Sequence, residues 1–339
     1  MRAIGYQNPL PIDDPNALVD IELPKPEPTG RDILVEVRAV SVNPVDTKVR
    51  RGVKPEAGAW KVLGWDAAGT VVAVGSKAER FKPGDAVFYA GAIGRPGANS
   101  EFHLVDERIV GRKPKSLDWA EAAALPLTSI TAWEMLFDRL DIRKLVPGAA
   151  PAVLIVGGAG GVGSIAIQFV RRLTDLTVIA TASRPETREW AHELGAHHVV
   201  DHSKPLAAEA AALGLGAPGV VFSTTNTQDH FAEIVQLIAP QGRFGLIDNP
   251  AALDVKLLKD KSVSTHWESM FTRSTFTTPD IGEQGALLNE VSRLVDEGAL
   301  RTTLAQTFGA INAVNLRRAH ALIESGRAKG KIVLAGFEG

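Results

Sequence analysis

The feature that most constrains the fold is a short apolar run that leads directly into a glycine-rich turn. Residues 151–163 read Pro-Ala-Val-Leu-Ile-Val-Gly-Gly-Ala-Gly-Gly-Val-Gly, and a helical pattern over 164–173 follows them. A buried parallel strand, a tight turn and a helix N-terminus in this order are typical of a dinucleotide-binding site, because the free N–H groups at the helix start face the phosphates. A glycine motif alone is also typical of a flexible loop, but here a strand and a helix flank it on the correct sides.

Three of these glycines have the spacing G-x-G-x-x-G, and each has a predicted task. We expect Gly158 to permit the turn, Gly160 to let the backbone approach a pyrophosphate, and Gly163 to let the helix pack on the strand. Gly161 and Val162 lie within the same turn and are predicted to contact the cofactor as well.

Composition excludes several classes of site. The chain has 339 residues, which favours two domains, and a formal net charge of −2, which gives no general attraction to nucleic acid or to an anionic membrane. No run of about 18 apolar residues predicts a membrane span, and the first residues lack an apolar signal core, so we expect a cytoplasmic protein. The absence of cysteine excludes disulfides, thiolate catalysis and cysteine-bound metals.

The patterning along the chain predicts an α/β protein with two kinds of domain. Residues 1–126 are predicted to be rich in β-strands, as in the alternating run 33–42. From residue 152 strands and helices alternate, which is typical of a doubly wound parallel sheet. The tail ends in a predicted strand and is expected to return to the first domain. We therefore assign 1–126 and 281–339 to a β-rich domain and 127–280 to a nucleotide-binding domain.

The residues after the second strand of the alternating region bear on which nucleotide is bound. A site for NAD normally has Asp or Glu about 20 residues after the turn, where it binds the ribose 2′-hydroxyl. Here Ala182 lies 19 residues after Gly163, Ser183 and Arg184 follow it, and residues 181–185 contain no carboxylate. A hydroxyl and a guanidinium suit a 2′-phosphate, which predicts NADPH. The alternatives are that Ser183 only caps the next helix and that Arg184 is a solvated surface charge.

Several further motifs are spread over nearly the whole chain. They are Ser41-Val-Asn43-Pro-Val-Asp46-Thr47 with Arg50 and Gly52, Gly64-Trp-Asp66-Ala-Ala-Gly69-Thr-Val, Lys82-Pro83-Gly84-Asp85-Ala-Val, Ala124-Leu-Pro126-Leu-Thr128-Ser-Ile-Thr131-Ala-Trp133, Gly160-Gly161-Val162-Gly163, and Gly330-Lys331-Ile-Val-Leu. Together these motifs resemble the medium-chain dehydrogenase/reductase superfamily, in its zinc-free quinone oxidoreductase branch. This resemblance implies a GroES-like β-rich catalytic domain and a Rossmann domain, with the active site in a cleft between them.

The resemblance also implies that zinc ligands are missing. Zinc-dependent alcohol dehydrogenases hold the catalytic metal with Cys, His, and a second Cys or an acid. The corresponding positions here are Asn43, Trp65, and Leu127 or a neighbour. An amide, an indole and an aliphatic chain cannot replace thiolates and an imidazole. We therefore expect no metal, and a zinc-type name given to such a chain would be inherited from homology.

Without a metal, reduction of a quinone or of an activated C=C bond is the favoured chemistry, because the substrate carbonyl delocalises the charge that hydride addition creates. The resemblance places Asn43, Asp46, Tyr89 and Thr128 in the catalytic region. Asn43 can donate an amide N–H to the developing oxyanion. Asp46 is expected to hold neighbouring backbone or Arg50, and Tyr89 to donate a proton or stack, or else to pack at the end of its strand. Thr128 is expected near the nicotinamide.

The resemblance implies further cofactor contacts. Many quinone oxidoreductases place a tyrosine at the end of the third Rossmann strand, on the 2′-phosphate, and His202 stands there; an exposed loop histidine is the alternative. Thr131 is expected near the nicotinamide or its ribose. Other predicted cofactor-binding residues are Thr224, Ile247 and Lys331.

One departure from the quinone oxidoreductase pattern affects the substrate. Many members have tyrosine two residues after the Asp of the Asn-x-x-Asp motif, and Lys48 stands there instead.

The leading hypothesis is an NADPH-dependent quinone or enone reductase that acts on a small molecule and forms a homodimer. The alternatives are an NADP-dependent alcohol dehydrogenase and a nucleotide-binding protein with little or no turnover. The apolar segment 266–276 is expected either to line the cleft or to form a dimer ridge.

Overall fold

The computed structural model describes residues 1–337, which divide into two compact units. The β-rich unit comprises Met1–Ile130 and the chain from Phe271 onward, and the parallel-sheet unit comprises Thr131–Met270. The division lies four residues after the predicted 126/127 boundary and ten residues before the predicted 280/281 boundary. Within the described residues, no helix combines the length and the apolar character needed to cross a membrane.

The first stretch of the chain contains several short strands, two longer strands and three α-helices. Its strands are β1 (Arg2–Tyr6), β2 (Val19–Glu22), β3 (Asp32–Val42), β4 (Lys61–Val62), β5 (Ala67–Val74), β6 (Ala86–Tyr89), β7 (Phe102–Asp106) and β8 (Val110–Arg112), and its helices are α1 (Pro44–Gly52), α2 (Trp119–Ala123) and α3 (Pro126–Trp133). The predicted strand 33–42 is the long central strand β3, and most of its residues are buried.

The middle stretch alternates strand and helix. Its strands are β9 (Ala150–Val156), β10 (Thr177–Thr181), β11 (His198–Val200), β12 (Pro218–Ser223), β13 (Arg243–Leu246) and β14 (Ser264–Trp267), and its helices are α4 (Gly161–Leu173), α5 (Pro185–Glu193), α6 (Leu206–Ala211) and α7 (Thr227–Leu237). The strands pair in parallel in the order β11-β10-β9-β12-β13-β14. This is the doubly wound order whose crevice lies at the carboxyl ends of the strands.

The last stretch of the chain belongs to the β-rich unit. It contains α8 (Thr272–Phe276), α9 (Glu283–Asp296), β15 (Leu304–Thr307), α10 (Ala313–Glu324) and β16 (Lys331–Ala335). Strand β16 pairs antiparallel with β3, and the register sets Ile332 opposite Val42. This pairing places the side chain of Lys331 at the end of β3, directly before α1. The sheet order is β15-β16-β3-β5-β6-β8, with β7 also paired to β3.

Candidate functional site

The glycine-rich turn joins β9 to α4, but the left-handed residue of the turn is not the predicted one. Gly157 has φ +80°, and a Cβ on it would lie 2.5 Å from Thr224 Oγ1. Gly158, the first glycine of the motif, instead lies against β10, where a Cβ would approach Ala180 Cβ to 2.8 Å. The prediction that Gly158 permits the turn is therefore wrong: Gly157 makes the turn, and Gly158 lets the turn pack closely against β10.

The other two motif glycines have contrasting surroundings. A Cβ on Gly163 would lie 2.2 Å from the carbonyl oxygen of Gly157, so only glycine lets α4 begin this close to the turn. A Cβ on Gly160 would meet nothing nearer than 3.5 Å, which leaves the space over the turn open. The N–H groups of Gly161, Val162 and Gly163 precede the first helical hydrogen bond of α4, from Ser164 N to Gly160 O. An open glycine surface beside free helix N–H groups fits a pyrophosphate.

The residues after β10 lie at the same carboxyl edge. Ser183 and Arg184 are half-buried, and α5 begins directly after them. The Arg184 Nε atom pairs with Glu186 Oε1 at 2.8 Å, and the Glu186 side chain is 58% exposed. An ion pair open to solvent contributes little stability, so a phosphate that offers two charged acceptors competes well for this guanidinium.

Three further predicted cofactor residues follow the neighbouring strands. His202 comes just after β11, and its Nδ1 is 2.8 Å from Thr181 Oγ1. Thr224 follows β12 and donates its hydroxyl to Val156 O at 2.8 Å. Ile247 follows β13 and is half-buried. Parallel pairing thus brings the turn, Ser183, Arg184 and these three residues to one edge of a single sheet.

In the β-rich unit, a buried charged cluster occupies the end of β3. Lys331 Nζ donates to Asp66 Oδ2 at 2.9 Å, to Val42 O at 3.1 Å and to Asn43 Oδ1. Asn43 Nδ2 donates to the same Asp66 oxygen at 2.9 Å, and the Leu127 backbone N–H donates to the other at 2.8 Å. All three donor sites of the ammonium are thereby used. Lys331, Asn43 and Asp66 are each no more than 3% exposed.

This cluster bears on two predicted roles. A contact from Lys331 to the cofactor would require Nζ to leave one of its three acceptors. The oxyanion-donor role of Asn43 would likewise require one of its two amide hydrogens to leave its acceptor, which is Asp66 Oδ2 at 2.9 Å or Ser41 O at 3.4 Å. In the structure Asn43 is a bridge, because its oxygen accepts from the ammonium and its nitrogen donates to the carboxylate. Burial raises the pKa of Asp66, and the ammonium and the N–H donors oppose that rise.

Asp46 binds neighbouring backbone N–H groups, which is one of the two partners predicted for it. Its carboxylate accepts from Asn43 N at 2.8 Å and from Gly64 N at 3.0 Å. Burial raises the pKa of Asp46 to about 7, although both N–H donors and Lys331 favour the ionised form. The alternative partner, Arg50, instead donates to Leu10 O and pairs with Glu324.

Tyr89 has the contacts of a packed residue. Its hydroxyl is 3.0 Å from His103 Nδ1, the two rings stack at 5.5 Å, and His103 Nε2 is 2.9 Å from Pro96 O. Tyr89 is fully buried, which raises the pKa of its hydroxyl, and burial lowers the pKa of His103 to about 4. These contacts favour the strand-end packing alternative. A role in proton donation would require the hydroxyl to leave His103.

The two predicted threonines lie one turn apart on α3. Thr128 is buried and donates its hydroxyl to Leu125 O at 3.2 Å, and Thr131 is also buried. Trp65, at the position matched to the zinc-binding histidine, donates Nε1 to Ala92 O at 3.3 Å and packs edge-on against Phe271, with ring centroids 6.1 Å apart. Across residues 1–337, no three His, Cys, Asp or Glu side chains come together in a way that could hold a metal.

Sequence reasoning assigned no role to Asp66 or to Gly157. The signal for Asp66 was an acid inside the otherwise apolar run Gly64-Trp-Asp66-Ala-Ala-Gly69, since a carboxylate in such a run needs a buried partner. The signal for Gly157 was a second glycine directly beside the motif. Neither signal identifies the partner, because Asp66 and Lys331 are 265 residues apart in sequence.

Known proteins match both units. The family described as "Alcohol dehydrogenase GroES-like domain" matches residues 29–115, and that described as "Zinc-binding dehydrogenase" matches 194–334. A zinc-type alcohol dehydrogenase-like protein of Staphylococcus aureus is 39% identical, with 98% of this chain and 99% of that protein covered. The chain belongs to the medium-chain dehydrogenase/reductase superfamily. A quinone oxidoreductase of Pseudomonas aeruginosa, 31% identical over 91% of this chain and 92% of its own, supports the quinone oxidoreductase-like branch.

A solved structure is also similar over the whole chain. It comes from a Rhizobium etli protein provisionally named a zinc-dependent alcohol dehydrogenase, with 71% identity, a TM-score of 0.98 and coverage of 100% of this chain and 98% of that one. As a member of the medium-chain dehydrogenase/reductase superfamily, this protein is an oxidoreductase with a Rossmann sheet and a GroES-like unit. Its fold supports binding of a nicotinamide nucleotide.

Proposed function

We propose that this medium-chain dehydrogenase/reductase reduces quinones or carbonyl-conjugated C=C bonds with NADPH and without zinc. The proposal depends on one observation: the residues at the three positions matched to zinc ligands are engaged in other contacts. Asn43 is bound to Lys331 and Asp66, Trp65 packs on Phe271, and Leu127 gives its backbone N–H to Asp66. None of these side chains is a zinc ligand, and a buried ammonium already supplies a positive charge there.

The proposed substrate class follows from this chemistry. Oxidation of a simple alcohol needs a Lewis acid or a strong base to lower the pKa of the hydroxyl, and the cluster provides neither in an open position. A quinone or an enone already carries a carbonyl that spreads the incoming negative charge. When bound, the reduced nicotinamide supplies the hydride. The chain then has to bind, orient and shield the two reactants, and the glycine turn with the α4 N-terminus supports the binding part.

The proposed preference for NADPH depends on the residues after β10. Residues 181–185 contain no carboxylate, while Ser183 and Arg184 stand at the carboxyl edge of the sheet. Replacing Arg184 by Ala should weaken NADPH binding by about 1–3 kcal/mol, the loss of a charged hydrogen bond, and change NADH binding little. Equal affinity of the unchanged protein for the two nucleotides contradicts this part of the proposal.

The names of several relatives favour a second candidate, an NADP-dependent alcohol dehydrogenase. One experiment separates the two. The purified chain is assayed with NADPH against quinones, enones and aldehydes, and with NADP⁺ against primary alcohols, before and after treatment with a chelator. We expect reduction of quinones or enones that survives chelation, and no stoichiometric zinc by elemental analysis. Alcohol oxidation that is lost together with about one zinc per chain rejects the proposal.

We also propose a homodimer formed through the parallel-sheet unit. Strand β14 is an edge strand of that sheet, and its last residue, Trp267, is 56% exposed. An edge strand with free backbone groups and an exposed indole suits a second copy of the same strand. Light scattering should give twice the chain mass, and Trp267→Arg should shift the protein to monomers. The proposed substrate is a small molecule. The cytoplasmic location stays a prediction.

A further inference from the structure

A carboxylate that follows β13 caps the helix that follows β12. Asp248 Oδ2 accepts from the backbone N–H of Thr227, the first residue of α7, at 2.8 Å, and Asp248 Oδ1 accepts from the Thr227 hydroxyl. Asn226, at the N-cap position, makes no side-chain cap and has φ +50°, which non-glycine residues rarely adopt. The cap of α7 therefore comes from another strand end, 21 residues further along the chain.

The segment 224–226, between β12 and α7, is held at both of its ends. At its start, the hydroxyl and the backbone N–H of Thr224 both donate to Val156 O, at 2.8 and 3.1 Å. At its end, Asp248 holds Thr227, which is fully buried. The two residues between these fixed points are exposed. Asp248 therefore sets the position of an exposed loop without lying in that loop.

Helices α4 and α7 begin at the same edge of the sheet, and their N-termini differ in charge. Asp248 gives the N-terminus of α7 a carboxylate, and Asp229 in the first turn adds a second acidic residue. The first turn of α4 contains no acidic residue, and the surface over Gly160 is open. A carboxylate at a helix N-terminus is stabilised by the helix dipole, and it repels a phosphate. Phosphates are therefore directed to α4, and the face beside α7 suits a part of a nucleotide without negative charge.

The strand order indicates which half of a dinucleotide this is. Strands β10 and β11 lie on one side of β9, and β12, β13 and β14 lie on the other. Where the strand order reverses, a dinucleotide binds across the edge of the sheet, with one nucleoside on each side of the turn. Ser183 and Arg184, which we propose for the 2′-phosphate, follow β10, so the adenosine belongs to that side. The nicotinamide half then belongs over the ends of β12 and β13, where Asp248 holds Thr227.

We propose that Asp248 is a positioning residue for the nicotinamide half of the nucleotide. By holding Thr227 it fixes the segment 224–226, over which that half binds. This inference rests on the proposed NADPH dependence, and it adds a residue that has no predicted contact with the cofactor. Since Asp248 acts through the β12–α7 segment, its loss should weaken binding of the nicotinamide half and leave binding of the adenosine half as it is.

The test compares NADPH with 2′,5′-ADP, which has the adenosine half and lacks the nicotinamide half. Calorimetry gives both affinities for the full chain, and the fluorescence of the reduced nicotinamide reports its surroundings. Asp248→Ala should weaken NADPH binding by at least about tenfold, the effect of losing a hydrogen bond to a charged group. The affinity for 2′,5′-ADP should change less than about twofold. Neither measurement depends on turnover.

Asp248→Asn tests whether the hydrogen bonds are the cause. It keeps an acceptor for the Thr227 N–H, and its amide can donate to the Thr227 hydroxyl, which then donates to Ser223 Oγ, 2.8 Å away. This variant should recover NADPH affinity to within about threefold of the unchanged chain. If Asp248→Ala does not fold, Thr227→Val takes its place, because it removes only the hydroxyl. It should weaken NADPH binding by at least about threefold and leave 2′,5′-ADP binding unchanged.

Lys261→Met is the matched control for the stability of α7. Lys261 Nζ donates to three carbonyl groups at the other end of this helix, each at 2.8 Å. The variant therefore loosens α7 far from the carboxyl edge of the sheet. It should lower the thermal midpoint and leave both nucleotide affinities unchanged.

Four results overturn the inference. They are an unchanged NADPH affinity in Asp248→Ala or in the Thr227→Val variant that replaces it, an equal weakening of NADPH and 2′,5′-ADP, an Asp248→Asn variant as weak as Asp248→Ala, and a Lys261→Met variant that loses as much NADPH affinity as Asp248→Ala. Failure of the proposed function is a separate observation. A chain that binds as expected but reduces no quinone or enone keeps this inference and loses the reductase. A chain that prefers NADH loses the NADPH preference, and NADH with 5′-AMP then gives the same test of Asp248.

Discussion

At the scale of single residues, the Lys331 ammonium determines whether the buried cluster is stable. It is the cationic partner of Asp66, and it also holds the bridging amide of Asn43. A buried ion pair adds little net stability over a well-packed apolar pair, but removal of one partner leaves a buried charge without compensation. The fold therefore needs Lys331 and Asp66 together, and loss of either one alone is destabilising.

The corresponding prediction concerns replacement of Lys331 by methionine. Lys331→Met should lower the free energy of unfolding by about 3–5 kcal/mol, because Asp66 is left buried without its ammonium. Urea denaturation measures this loss. The double variant Lys331→Met with Asp66→Asn removes both charges and should recover a clear part of it. A single variant that loses less than about 1 kcal/mol would show that the pair does not hold the unit together.

His320 gives a prediction for acid stability. It is fully buried in α10, both ring nitrogens are without a hydrogen-bond partner in the described residues, and burial with nearby Arg50 lowers its pKa to about 3. The unfolded chain binds a proton on this ring at about pH 6.5 and the folded chain does not. Stability is therefore present above that pH and is lost as the pH falls toward 3.

The test of this prediction is a comparison with His320→Leu. From pH 7 to pH 4 the ring should account for about 3 kcal/mol of the lost unfolding free energy, and the variant should lose less than the unchanged protein by about that amount. Denaturation curves at the two pH values give the difference. Equal losses in both proteins would mean that His320 is solvated or protonated in the folded state.

At the scale of elements, the junction of β9 and α4 separates a folding role from a binding role. Gly163→Ala puts a methyl group 2.2 Å from the Gly157 carbonyl oxygen, so α4 must shift. A methyl group added at Gly160 would lie 3.5 Å from its nearest neighbour, the Gly157 carbonyl oxygen, so the fold tolerates it. We predict that Gly163→Ala lowers the thermal midpoint and nucleotide affinity together. Gly160→Ala should keep the midpoint and lose affinity, since it fills the open surface over the turn.

Differential scanning calorimetry and nucleotide titration on the two variants check this pair. Each variant is the control of the other, because both add one methyl group and the two positions are only three residues apart in sequence. An affinity for nucleotide that is unchanged in Gly160→Ala would contradict the assignment of this surface to a pyrophosphate.

At the scale of the whole molecule, local patterns predicted what depends on neighbours in sequence. The strand–turn–helix at 151–173 and the last strand, 331–335, have short-range signals, and both are present. What depends on residues far apart was not predicted. The pairing of Asp66 with Lys331 arises because β16 lies beside β3. The hydroxyl of Tyr89 meets His103 because β6 and β7 belong to one sheet. No periodicity in the sequence reports such partners.

The distance in sequence between Asp66 and Lys331 has a consequence for how the protein is made. A ribosome that adds about 5–20 residues per second produces Lys331 some 10–50 s after Asp66, given their separation of 265 residues. Throughout that interval the whole parallel-sheet unit is synthesised, while the core around Asp66 lacks its counter-ion. On the ribosome the parallel-sheet unit, Thr131–Met270, is therefore complete before the β-rich unit, which begins earlier in the sequence but needs β16.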